Sequence, residues 1–129
     1  MNLFGKKKQT DIPVMHYEGL ADFSKDYPCR IELTKEAFII KRIKPETTVT
    51  LQLDRIKSFS ARKEENFMIA YHGQKTTTAK SGEKYYLVVN YISKEGEDKY
   101  LAFWGTAFEY SKFLDFQHMS LPSNHDYTL

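Results

Sequence analysis

The chain has 129 residues, with 19 basic and 17 acidic side chains for a net charge of +2, and one cysteine. That length suits a single domain, commonly about 100–150 residues, and can bury about two-thirds of its unfolded surface without a metal or disulfide. The balanced charge argues against a nucleic-acid binder built on a basic stripe, the lone cysteine excludes an intrachain disulfide and suits a reducing, cytoplasmic setting, and no apolar run approaches the roughly 20 residues of a spanning helix.

Residues 1–13 are polar and carry Lys6, Lys7 and Lys8 behind Leu3 and Phe4. They read as a flexible basic N-terminal tail, as chain ends usually are. A second reading makes the three lysines a foot on an anionic membrane surface, at about 1 kcal/mol each. The apolar pair is too short for a secretory h-region, and the charges follow it. Residues 14–20 predict a short first strand. Residues 21–28 predict a loop ending in Tyr27-Pro28, a pair that disfavours helix. Residues 29–34 alternate Ile31 and Leu33 against Arg30 and Glu32, a strand with one wet face. After a turn at 34–36, residues 37–43 form the second arm of a hairpin, broken by Pro45, which cannot donate to a ladder.

The cleanest alternation is 47–53. Val49, Leu51 and Leu53 face one way, and Thr48, Thr50 and Gln52 the other; one-sided burial of this kind pins the register. Residues 54–59 continue it through a bend. Residues 61–66 read as a charged turn, and 67–72 as another strand with Phe67, Ile69 and Tyr71 on one side. Residues 73–82 are a polar, glycine-bounded loop. Residues 83–93 predict a long strand with Tyr85, Leu87, Val89 and Tyr91 on one face and Tyr86, Val88 and Ile92 on the other. A polar turn leads to a last strand at 99–104. Thr106-Ala107-Phe108-Glu109 fits a capping box. Behind it Tyr110, Phe113, Leu114 and Gln117 follow helical spacing, so the helix must lay its apolar side on a sheet. Residues 118–129 have no usable period and read as a tail.

About seven strands at spacings of about 8–12 residues, then one helix, predict a mainly β (α+β) fold. The expected architecture is bent antiparallel sheets forming a partly open barrel or sandwich over residues 14–117, capped by the C-terminal helix.

Residues 29–41 (CRIELTKEAFIIK) look like an opening hairpin, and 49–59 (VTLQLDRIKSF) like a third strand with a hydrophobic-Asp-x-Ile step. With the helix behind Trp104, about half the chain resembles the pleckstrin-homology-like superfamily, in particular its small bacterial domains. The resemblance implies a binding or scaffolding module rather than an enzyme. In phosphoinositide-binding members a basic motif, Lys-x(n)-Lys/Arg-x-Arg, spans the first hairpin. Lys35, Arg42 and Lys44 come near that spacing, which implies an anionic-ligand site.

His16, His72, His118 and His125 are scattered and match no metal, nucleophile or phosphate-loop motif, so no catalytic, cofactor or metal site is expected. Cys29 reads as a small buried hydrophobe on a strand; a cysteine nucleophile needs an exposed, electropositive setting. Tyr85, Tyr86, Tyr91, Tyr100, Phe103 and Trp104, near Lys84, Lys94 and Lys99, have the residue types of a single-strand stacking platform. Large rings more commonly supply core area, and no nucleic-acid partner is expected. The functional expectation is a protein–protein interaction module, homo-oligomers included, in which Tyr86, Val88 and Ile92 pack on another subunit or an adaptor. The alternative is a peripheral membrane module using Lys6 to Lys8 with Lys35, Arg42 and Lys44.

Overall fold

Two apolar rows, on opposite faces of one hairpin, set the layout. The computed structural model describes residues 11–44, 46–73, 83–119 and 121. Its strands are β1 (Asp11–Glu18), β2 (Tyr27–Leu33), β3 (Ala37–Arg42), β4 (Thr47–Gln52), β5 (Ile56–Lys63), β6 (Tyr85–Ile92) and β7 (Asp98–Gly105). Among the described residues these make one seven-stranded antiparallel sheet in the order β4-β3-β2-β1-β7-β6-β5. The sheet bends without closing, so β4 and β5 are its edges and the fold is a partly open sandwich capped by a C-terminal helix. A 3-10 turn at Leu53–Arg55 makes the bend between β4 and β5. Gly19, at φ +117°, ends β1 where an added Cβ would lie 2.7 Å from the Tyr100 carbonyl oxygen.

The inner face is the main core. Phe38 on β3 reaches across to Phe59 on β5 at 5.5 Å and Phe103 on β7 at 6.0 Å between ring centroids. The helix α2 (Ala107–Gln117) lays Phe113 and Phe116 over the same cluster, with Phe116 5.4 Å from Phe59. The capping box starts this helix: Glu109 accepts from the Thr106 amide at 2.7 Å. Gly105 makes the cap possible, since a Cβ there would meet that of Glu109 at 2.7 Å. Leu121, 2% exposed, joins the core from the segment read as a tail.

Three expectations change. The first strand begins at Asp11 and not at 14, so residues 11–13 belong to the domain. The stretch 56–63 is a separate strand, not a bend followed by a charged turn. Residues 67–72 are not a strand. The helix α1 (Glu64–Phe67) runs on as a π-helical turn, Met68–His72, and stops at Gly73 with φ 68°. Phe67 and Tyr71 share a face in either geometry because a spacing of four residues returns to the same side of a strand and of a helix. Ile69 separates the two: a strand would bury it beside them, whereas here it is 49% exposed. The basic tail, the loop at 74–82 and residues 122–129 lie outside the described residues.

Phe38→Ala should lower the unfolding free energy by about 3–5 kcal/mol, since it empties the junction of both halves of the sheet. Phe108→Ala, at a position 67% exposed on α2, should change it by under about 0.5 kcal/mol. Urea unfolding of the two variants checks the pair.

Candidate functional site

The structure separates the basic set Lys35, Arg42 and Lys44. Lys35 sits in the β2–β3 turn, while Arg42 and Lys44 lie at the other end of β3. Six residues at about 3.3 Å each put the two ends about 20 Å apart. Arg42 is also engaged in holding the fold. Its guanidinium donates to the Asp22 carbonyl and, at 2.8 Å, to the Thr47 hydroxyl, and it lies 4.7 Å from the Phe23 ring centroid. The three residues are therefore not one anion site. Lys6, Lys7 and Lys8 lie outside the described residues.

The surface expected at Tyr86, Val88 and Ile92 is also corrected. Tyr86 and Val88 are wholly buried. Their cover comes from the same chain: Phe67 of α1 stacks on Tyr86 at 4.3 Å, with Tyr17 edge-on at 5.4 Å. Ile92, partly buried, pairs with Asp98 at the far end of the hairpin. The helical flap is held down by polar contacts. Glu18 on β1 accepts from the Tyr100 hydroxyl and contacts His72 Nε2 at 2.9 Å. Arg62 donates to Asn66 at 2.6 Å. The Tyr86 hydroxyl is buried without a partner among the described residues, and burial above all raises its pKa. This cluster presents a carboxylate already engaged by two groups, which suits a clamp better than proton transfer.

Two titratable groups are buried near the loop between β1 and β2, and the first of them pins it. His16, 1% exposed, uses both ring nitrogens: Nδ1 lies 3.0 Å from the Ser24 carbonyl and Nε2 accepts from the Leu20 amide at 3.2 Å. A donor at Nδ1 with an acceptor at Nε2 is the neutral ring. Burial lowers its pKa from the ordinary 6.5, outweighing the Ser24 contact and the nearby Glu18. Cys29 on β2 is buried, and burial pushes its thiol up to about 12 against a smaller opposing pull from the His16 backbone. A thiol so placed is a packing group.

The open feature lies on the outer face, beside the half covered by the flap. There Trp104 on β7 pairs with Met15 on β1, and Met15 with Pro28 on β2. Ile43, just past β3, extends the row and is 64% exposed. With Pro13 these side chains line a cleft of about 400 Å³, with Cys29 among its walls, next to the start of α2. Three of the basic groups around it are already engaged. Arg30 binds Asp11 at 2.5 Å, Lys41 lies 3.4 Å from Glu32, and Lys84 sits 4.6 Å over the Trp104 ring. Trp104 gives its indole N–H to Asp26 at 2.8 Å. What remains is apolar surface suited to an apolar guest. The signal in the sequence was faint: Pro13 and Met15 sit on the face of β1 where polar residues belong, and Pro28 and Ile43 each stand alone.

Among the described residues, no cluster of three or more His, Cys, Asp or Glu could hold a metal ion, and no helix is long and apolar enough to cross a membrane.

Folding keeps His16 neutral, whereas the unfolded chain protonates it below about pH 6.5. Its contribution to stability is thus whole above the unfolded value and is lost as pH falls from there toward the folded one. Urea midpoints should drop between about pH 8 and pH 5, and part of that drop should vanish in His16→Gln. Alkylation of Cys29 at about pH 8 should run about a thousandfold slower in the folded than in the urea-unfolded chain, because the thiolate is so rare; comparable rates would mean the thiol is open to solvent. No family model, curated protein or solved structure matches this chain.

Proposed function

We propose that the chain is a non-catalytic binding module of the pleckstrin-homology-like kind that takes an apolar segment of a protein partner into the cleft at Trp104, Met15, Pro28 and Ile43. Seven antiparallel strands in one bent sheet, with a helix after the last strand lying across the open side, support the family reading. The observation that carries the functional reading is the row itself. It crosses three strands and ends in an Ile43 that is 64% exposed, on a sheet face that the chain covers elsewhere with its own flap. Burying such a row is favourable by about 25 cal/mol per Å² of apolar surface removed from water. Arg30 and Lys41 beside it already have carboxylate partners.

A photo-crosslinking residue at position 43 or 28 should capture a protein in cells, while one at 94, in the β6–β7 turn, should not. Met15→Lys in the same chain should abolish the capture without unfolding the domain, because this side chain points out of the core. Equal capture from all three positions, or none, would count against the cleft.

A membrane reading has one observation in its favour: Ile43 projects between Arg42 and the exposed Lys44. Flotation with anionic and neutral vesicles tests it. Binding to anionic vesicles alone, lost in Ile43→Ser and in Lys44→Glu, would favour the membrane over a protein partner.

A further inference from the structure

The two edges of the sheet are treated in opposite ways. On β5 the Glu64 amide donates to the Lys84 carbonyl at 3.0 Å. Residues 58, 60 and 62 therefore bond inward to β6, and residues 59, 61 and 63 face outward. The outward Ala61 amide is already taken, donating at 2.8 Å to Gln117 at the end of α2. Lys57, Arg62 and Lys63 add charge along the same strand. Charge and a covered backbone are the usual defences of an edge.

β4 has neither. Leu53 donates to the Glu36 carbonyl at 3.0 Å, and Thr34 to the Ala37 carbonyl at 2.9 Å. Both fix the same parity: Thr47, Val49 and Leu51 bond to β3, while the amides and carbonyls of Thr48, Thr50 and Gln52 point away from the sheet. Among the described residues nothing pairs with those outward groups. The strand, Thr47–Gln52, contains no charged residue and no proline. An uncharged edge of β-branched residues is a template for another strand.

We infer that β4 pairs antiparallel with β4 of a second copy about a two-fold axis, making one continuous sheet of both chains. The occupant follows from the asymmetry of the edges. If β4 paired with the β5 edge of another copy, the contact would repeat head to tail and build a ring or a filament. Gln117 and the basic residues of β5 block that route, so β4 against β4 is the pairing that closes. The outward groups fix the parity, and centring the two strands on each other to form the most bonds sets the register. Thr50 sits opposite Thr50 of the second copy, and Thr48 opposite Gln52, hydroxyl against hydroxyl and amide with no charge across the strand. Each assembled end is then a defended β5. Glu46 and Asp54 flank the strand, and in this register each approaches the other's counterpart across the axis.

Sedimentation velocity of the full chain over rising concentration tests the pairing. The expected result is a reversible shift to twice the chain mass. Thr50→Pro should abolish it: its amide faces outward, so proline removes the donor offered to the second copy and spares the bonds to β3. Thr50→Lys should abolish it by like charge across the axis, with thermal melts of both variants close to wild type. Asp54→Asn should tighten the dimer. A wild-type chain that stays monomeric up to about 1 mM, or a dimer indifferent to Thr50→Pro and Thr50→Lys while both remain folded, overturns the inference.

Discussion

The hairpin of β6 and β7 is buried on both faces, and the rest of the molecule follows from that constraint. Leu87, Val89, Leu101 and Phe103 fill the inner core, while Tyr86, Val88 and Ala102 sit with Phe67 in a second cluster on the outer face. A sheet buried on both sides needs two covers. On the inner side β3, β5 and α2 provide one, meeting at Phe38 and Phe116. On the outer side α1 and its π turn provide the other. The second cover is small, so packing alone would hold it weakly, and hydrogen bonds to Glu18 and between Arg62 and Asn66 supplement Phe67. The buried hydroxyl of Tyr86 has no partner among the described residues; a buried polar atom left so costs about 1–3 kcal/mol.

What the sequence made legible was what is local. The capping box at Thr106 and Glu109 is a four-residue pattern, and it closes as expected. The alternation at 47–53 is read from neighbours, and β4 forms there. The need of Tyr86 and Val88 for cover was also plain, since an alternating strand has no reason to place them opposite Leu87 and Val89 unless both faces are dry. The identity of the cover was not plain. It lies in a segment whose apolar residues, Phe67, Ile69 and Tyr71, fit a strand as well as a helix until burial separates Ile69 from the others. The same limit hid the cleft. Its members come from residues 13–15, 28, 43 and 104, and only the register of β1 with β2 and β7 brings them together. No window along the chain contains more than one strand's share.

The basic residues make the complementary point. Lys35, Arg42 and Lys44 are close in sequence, yet a strand is a rigid spacer that sets its two ends apart. Arg42 shows a second reason why spacing alone misleads. Its planar guanidinium stacks on Phe23 and bonds to the loop carbonyl of Asp22, which is the work arginine does better than lysine. That contact, with the neutral His16 between Ser24 and Leu20, ties the β1–β2 loop down from both sides. The cleft is thereby given a fixed wall, because Asp26 in that loop holds the Trp104 indole.

A ledger of covers explains why two surfaces are left over. Seven strands present two faces and two edges, and the described chain has α1 and α2 to cover them. α2 takes the open inner side and reaches the β5 edge through Gln117. The flap takes half of the outer face. Among the described residues the β4 edge and the outer faces of β2 and β3 receive nothing, and β1 is covered only toward its end, at Tyr17. Most of that remainder is polar, as a wet face should be: Arg30, Glu32 and Lys41 pair among themselves or with Asp11. Pro13, Met15, Pro28, Ile39 and Ile43 are the exceptions. Replacing them with polar residues would take little from the inner core, so their apolar character is not required by folding. The uncharged β4 edge is anomalous for the same reason, since one lysine there would protect it at little cost to the core. Both features are intelligible when something outside the described residues completes them, and they call for different completions: side chains for the cleft, and backbone for the edge.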